Sequence, residues 1–157
     1  MATATAEVMP SIVDELDALG TVGLLKAIAA GEAEGGRRLL DWANLTSQPE
    51  VAETLRFIVA RERSHADVFS RRVAELGDSV DLEMVPEQAA YLVMLADPAI
   101  ADAEKGKCIL GGEEFFAEIE RRAAGGIFDP LTAKLMTWYV AEERDSQARL
   151  RQTGVCG

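Results

Sequence analysis

Residues 50–77 read EVAETLRFIVARERSHADVFSRRVAELG, and how they are read decides the fold. Apolar side chains recur here at Val51, Leu55, Ile58, Val59, Phe69 and Val73, the three- and four-residue spacing of a helix that buries one face. Pro49 suits the first turn, where its missing N–H costs nothing, and Gly77 suits the position just past the end. The stretch therefore predicts a helix from Pro49 to about Leu76. It also carries the one histidine of the chain, His65, three residues after Glu62. At that spacing both side chains leave the same helix face. Alone, the pair is an ordinary surface arrangement in an acidic helical chain, so its meaning depends on the rest of the sequence.

On either side, strand signals are nearly absent and the same helical spacing recurs. A short helix is expected after Pro10-Ser11, and a long one from about Thr21 to Leu45, ending in NLTSQP. Residues 78–97 form a long connection with a short helix after Pro86. Asp97-Pro98 then opens a third long helix, an N-cap followed by proline at the first helical position, running to the AAGG stop at 123–126. Asp129-Pro130 repeats that opening for a fourth helix, ending near Arg151. The expected fold is all-α: a four-helix bundle over 21–152 with a long crossover between helix pairs, as in ferritin-like connectivity. An N-terminal segment (1–20) precedes it, and a mobile C-terminal tail (153–157) follows.

The formal net charge of −11 over 157 residues opposes nucleic acid and anionic lipid as partners, since both are repelled at long range. Cys108 and Cys156 make no CxxC pair, so neither a zinc ribbon nor a disulfide framework is indicated. The start, MATATAEVMP, lacks the basic and apolar regions of an export signal, and AAYLVMLA is too short to span a bilayer. These readings predict a soluble, non-exported chain in a reducing cytoplasm.

A repeat gives Glu62 and His65 their context. Displaced by 81 residues, Gly31-Glu32 falls on Gly112-Glu113, Pro49 on Pro130, and VARER (59–63) on VAEER (140–144), so that Glu62 matches Glu143. Glu32 and Glu62 each lie about 13 residues from the turn between their helices, roughly 20 Å at about 1.5 Å per residue. Antiparallel helices bring them level, and Glu113 and Glu143 obey the same arithmetic. Four carboxylates and the His65 imidazole are a donor set for two metal ions, whose charge would offset that of the carboxylates. Without metal the cluster repels itself inside an apolar bundle.

Through LLKAIAAGEAEGG (24–36), residues 50–77, GGEEFFAE (111–118) and YVAEERDSQARL (139–150), the chain resembles the ferritin-like di-iron carboxylate superfamily, in particular rubrerythrin-like and bacterioferritin-like members. That family carries Glu, then Glu-x-x-His, twice over. The resemblance implies metal ligands at Glu32, Glu62, His65, Glu113 and Glu143, with iron, or another divalent metal, as cofactor. It also implies a second histidine at position 146, where this chain has Ser146. Gln147 offers an amide oxygen on the same face, whereas Glu142 is turned about 100° away. The centre is therefore a di-metal site with unequal halves, a single-metal site or a relic. A histidine restored at 146 would complete the second half.

The resemblance implies a function in activating O2 or peroxide, or in oxidising Fe(II), within a homo-oligomer whose partners are metal ions and a small oxidant. With no CxxC segment for electron transfer, a peroxidase of this kind needs an external donor. The alternative is a non-catalytic binding or assembly module with a degenerate site. Glu34, Glu118 and Glu120 read as helix salt pairs on charged faces. Phe57, Phe115, Phe116, Trp138 and Tyr139 read as core and interface residues. Glycines 31, 35, 36, 111 and 112 each cost a helix about 1 kcal/mol relative to alanine, so they need a packing or access reason.

Overall fold

Ser11 starts the first helix as a cap, its hydroxyl oxygen accepting the Asp14 backbone N–H. The computed structural model describes residues 11–84 and 86–156, and no strand occurs among them. Helix α1 (Ile12–Leu45) contains Gly20 at φ 67° and ψ 179°, a corner that only glycine takes cheaply. It is thus the expected short helix and long helix meeting at a bend. Leu16 of the short piece is buried with Leu24, Leu25 and Ile28, which ties residues 12–19 to the core through that buried side chain.

Helix α2 (Pro49–Glu75) begins with Pro49 and closes at Leu76 and left-handed Gly77. It runs antiparallel to α1: Asn44 meets Arg56 near the turn, and Glu32 meets His65 farther away. The connection carries α3 (Pro86–Val93) and a 3-10 turn (Met94–Ala96), both packed on α1. Then follow α4 (Asp102–Ile109), α5 (Glu113–Ala124) and α6 (Pro130–Gln152). Asp129 caps α6 through the Thr132 backbone N–H. Helix α6 packs on α5 and α2, and α5 also touches α1. No helix among the described residues is long and apolar enough to cross a membrane.

The third long helix expected from Asp97-Pro98 is instead two helices. The Asp97 carboxylate accepts the Ala99 N–H within a turn, and helix starts only at Asp102. It stops again at Leu110, and Gly112, at φ 83°, precedes α5. Gln147 of α6 donates its side-chain amide to the Gly111 carbonyl at 2.7 Å. That bond satisfies a carbonyl that the missing helical turn leaves free.

Asp102 ties α4 to the α1–α2 turn, accepting from Trp42 Nε1 at 2.7 Å, Thr46 Oγ1 at 2.6 Å and Gln48 Nε2 at 2.9 Å. Burial opposes its charge, but hydrogen bonds from Thr46, Trp42 and Gln48 hold its carboxyl below the usual range. Asp102→Ala leaves the indole N–H of the fully buried Trp42 without a partner. A loss of about 1–3 kcal/mol in urea unfolding is expected.

The C-terminal tail, expected to be mobile, is packed as far as residue 156. Val155 is buried beside Leu150, and a Cβ on Gly106 would stand 2.6 Å from Cys156 Sγ. Phe57, expected as a core or interface residue, lies outside the core at 42% exposed; the Arg61 and Arg149 guanidinium carbons lie 4.5 Å from its ring centre.

Two apolar clusters divide the interior. One joins Leu24, Ile28, Phe69, Phe116, Met136 and Tyr139, the other Leu39, Trp42, Leu55, Ile58, Leu95 and Leu150. Along α1, α2 and α6, residues 32, 62, 65, 143 and 146 fall between them, which places a polar layer across the middle of the core.

Candidate metal centre

His65 is fully buried at the centre of that layer. Its Nδ1 lies 2.9 Å from Glu32 Oε2 and 3.4 Å from Glu143 Oε1. One ligand atom from each of Glu32, His65 and Glu143 fits within 4.8 Å of the others. Tyr139 donates its hydroxyl to Glu32 Oε1 at 3.1 Å. On the far side of the ring, Nε2 lies 2.9 Å from Glu142 Oε2. The other Glu142 oxygen accepts from Trp138 Nε1 at 3.0 Å, and Arg61 stands 3.8 Å from the carboxylate. The edges of Trp138 and Tyr139 fix the plane of the ring, with centroids 4.9 and 5.1 Å away.

Glu62 completes the layer. A Cβ on Gly35 would stand 3.0 Å from Glu62 Oε2, and one on Gly36 3.4 Å from Glu62 Cβ. These two glycines therefore let α2 press its carboxylate against α1, the packing reason that the sequence requires. Burial, then the charges of Glu32 and Glu143, push the Glu62 carboxyl well above its ordinary range. Burial likewise raises Glu143, against the opposing pull of His65 and Arg61. At His65 burial works against the charge, but the Glu143 carboxylate close by and the hydrogen bond to Glu32 outweigh it and push the imidazole up to about 10. One atom remains unserved: Glu143 Oε1 is buried without a hydrogen-bond partner.

This donor set fits a metal ion. It offers imidazole nitrogen and carboxylate oxygen, the ligands of divalent iron, manganese, cobalt and zinc. The Glu142 contact at Nε2 keeps Nδ1 toward Glu32 and Glu143, as an outer-sphere carboxylate does for a metal-binding histidine.

Of the five expected ligands, Glu32, Glu62, His65 and Glu143 meet, and Glu113 does not. Glu113 opens α5 with its side chain 71% exposed and accepts Arg144 Nη2 at 2.6 Å. Hydrogen bonds from Arg144 hold its carboxyl below the usual range. The reason is register. Arg37 and Arg38 clasp Glu34, and Arg121 and Arg122 clasp Glu118 in the same way. These Glu-x-x-Arg-Arg pairs superpose at a displacement of 84 residues, three more than the displacement that matches α2 to α6. In that register Glu32 corresponds to Phe116, which is buried with its ring 6.4 Å from Tyr139. Glu34 and Glu118 are helix salt pairs as expected, yet both are largely covered.

Ser146 is buried and accepts from Arg61 Nη1 at 3.1 Å. Gln147 spends its amide on Gly111 and gives nothing to the cluster. The second half of the layer thus holds Phe116, Ser146 and a guanidinium where a second site needs carboxylate and imidazole. Ser146→His alone is therefore expected to add no bound Fe(II) over the parent in an anaerobic titration, since Arg61 repels a cation there. The second half thus differs from the first by more than the one histidine missing at 146.

Sequence reasoning missed Glu142, Trp138 and Arg61. Glu142 was set aside for its angle to Glu143, but it serves the opposite nitrogen of a ring that belongs to α2. If His65 is a metal ligand, Glu142→Gln is expected to weaken that binding about 10–100-fold without removing a ligand, as read by competition with a chromophoric chelator.

Beside the layer lies a cavity of about 510 Å³, reached by Glu32, Glu62, Tyr139 and Glu143 and walled by side chains from α1, α2, α4, α5 and the connection. No protein-family model matches the sequence, and no curated protein or solved structure matches it either.

Proposed function

We propose that this chain is a ferritin-like metalloprotein that holds one divalent ion, with iron favoured, between Glu32, His65 and Glu143, and that Glu62 is the adjoining fourth ligand. The observation that carries the reading is the buried Glu143 Oε1, which makes no hydrogen bond although it stands 3.4 Å from His65 Nδ1 and near Glu32. A cation there satisfies it and offsets the repulsion among Glu32, Glu62 and Glu143. In this reading α1–α2 and α5–α6 are the two pairs of a ferritin-like bundle, and residues 76–101 are its long crossover. The antiparallel contact of α2 with α6, from Arg72–Asp129 at one end to Arg61–Asp145 at the other, supports that connectivity.

When bound, iron supplies redox chemistry toward O2, peroxide or further Fe(II). The chain's own residues orient His65 through Glu142, flank the site with the two apolar clusters, and hold a proton on Tyr139, whose hydroxyl burial and then Glu32 push well above its ordinary range. The competing reading is a metal-free assembly module. It is favoured by one observation: a charged His65 is hydrogen-bonded at both nitrogens, to Glu32 and Glu142. Metal analysis of protein purified without chelators, followed by anaerobic Fe(II) titration and O2 consumption, separates the two. One equivalent bound with turnover supports the proposal; no binding at millimolar Fe(II), Mn(II) or Zn(II) leaves the metal-free module.

A further inference from the structure

The cavity is much larger than an oxidant needs. O2 and peroxide are close in size to a water molecule, whose share of liquid volume is about 30 Å³, whereas the cavity holds about 510 Å³. That places it among small-molecule pockets, which span about 300–1,000 Å³ and combine apolar walls with a few converging polar groups. Its walls include Ile28, Leu39, Ile58, Leu95, Ile109 and Phe116, while Glu32, Glu62, Tyr139 and Glu143 contribute its polar groups. Gly31 and Gly111 border it with nothing within 4 Å of the place where a Cβ would stand. The space therefore reaches bare backbone.

We infer that this cavity binds one neutral, mainly apolar organic molecule alongside the metal. The inference rests on the metal reading for the ligand's charge alone. An anion would face three carboxylates, and a cation would compete for the position given to the metal, so a neutral ligand remains.

The test uses two dyes that differ by one charged group: N-phenyl-1-naphthylamine, which is neutral, and its 8-sulfonate, which is anionic. In the full chain the neutral dye is expected to bind saturably at one per chain, and the sulfonate at least tenfold more weakly. Gly31→Leu projects a side chain into the open space and is expected to weaken the neutral dye at least tenfold, with folding checked by circular dichroism. Ile109→Trp fills the cavity from α4 and should give the same result if Gly31→Leu does not fold. Parent protein stripped with EDTA and protein loaded with Fe(II) are both expected to bind the neutral dye, so a failure of the metal reading is seen apart from a failure of this one. Absence of saturable binding, equal affinity for both dyes, or parental affinity in both filled variants would overturn the inference.

Discussion

His65→Ala is expected to abolish metal loading and, in the metal-free protein at pH 7, to cost about 3–5 kcal/mol of stability, the usual consequence of removing one partner from a buried ionic cluster. The imidazole is the one nitrogen donor of the layer and its one buried cation. Without it, Glu32, Glu62 and Glu143 face one another between two apolar clusters, with Tyr139 the remaining donor to Glu32. The loss should shrink at pH 5, where added protons relieve the repulsion. Urea unfolding at pH 7 and pH 5, with metal content by mass spectrometry, measures both effects. A variant as stable as the parent at pH 7 would mean that His65 holds no charge pair with these carboxyls, and would remove the case for a cation among them.

The second large effect is a reversal of pH dependence on metal binding. His65 has an ordinary pKa of 6.5, raised to about 10 in the fold. Its stabilisation is complete below 6.5 and lost as pH rises toward 10. Glu62 and Glu143 are raised above 4.5, so their contribution is also present at low pH and lost as pH rises. All three groups make the metal-free protein weaken toward alkaline pH. Glu34, Asp102, Glu118 and Asp129, held low by their hydrogen-bond donors, act the other way, and their contribution is lost in acid. The metal-free optimum should therefore fall near pH ~5.

A bound divalent ion displaces those protons, so its affinity rises with pH. At a thousandfold excess over Kd it adds about 4 kcal/mol. The optimum should move above pH ~7 on loading, with proton release visible as a buffer-dependent binding enthalpy. An unchanged pH profile with metal bound would place the ion away from this layer.

The parts of the fold legible in the sequence are those where a local signal and a tertiary one agree. Pro49, Asp129-Pro130 and Gly77 mark helix ends by their own backbone preferences, and the structure uses each of them that way. The break between α4 and α5 was not legible, because Gly111-Gly112 is tolerated within many helices. What fixes it is Gln147, arriving from another helix.

The site followed the same rule. Glu32, Glu62 and Glu143 could be levelled by counting from turns because α1, α2 and α6 are continuous through them. Glu113 could not, since the count crossed into a helix whose register differs by three residues. That shift was written in the two Glu-x-x-Arg-Arg motifs, but their helix pairing carries weight only once both glutamates are found covered. Glu142 stayed hidden because a helical wheel gives the direction of a side chain from its own axis and not which nitrogen of a neighbouring ring awaits it.

The seam between Gly106 and Cys156 gives the protein a built-in clock. Cys108 is exposed, whereas Cys156 is partly covered, its sulfur lying where a side chain on Gly106 would begin. A thiol reagent therefore meets two sulfurs of unequal access, one open and one partly covered, which opens fully on the lifting of residues 153–156 from α4. The ratio of the two labelling rates times that lifting in the unaltered protein, with no probe introduced by mutation. Because Val155 belongs to the apolar cluster on one side of the carboxylate layer, the same clock shows whether an occupant of the layer is felt at the chain's end.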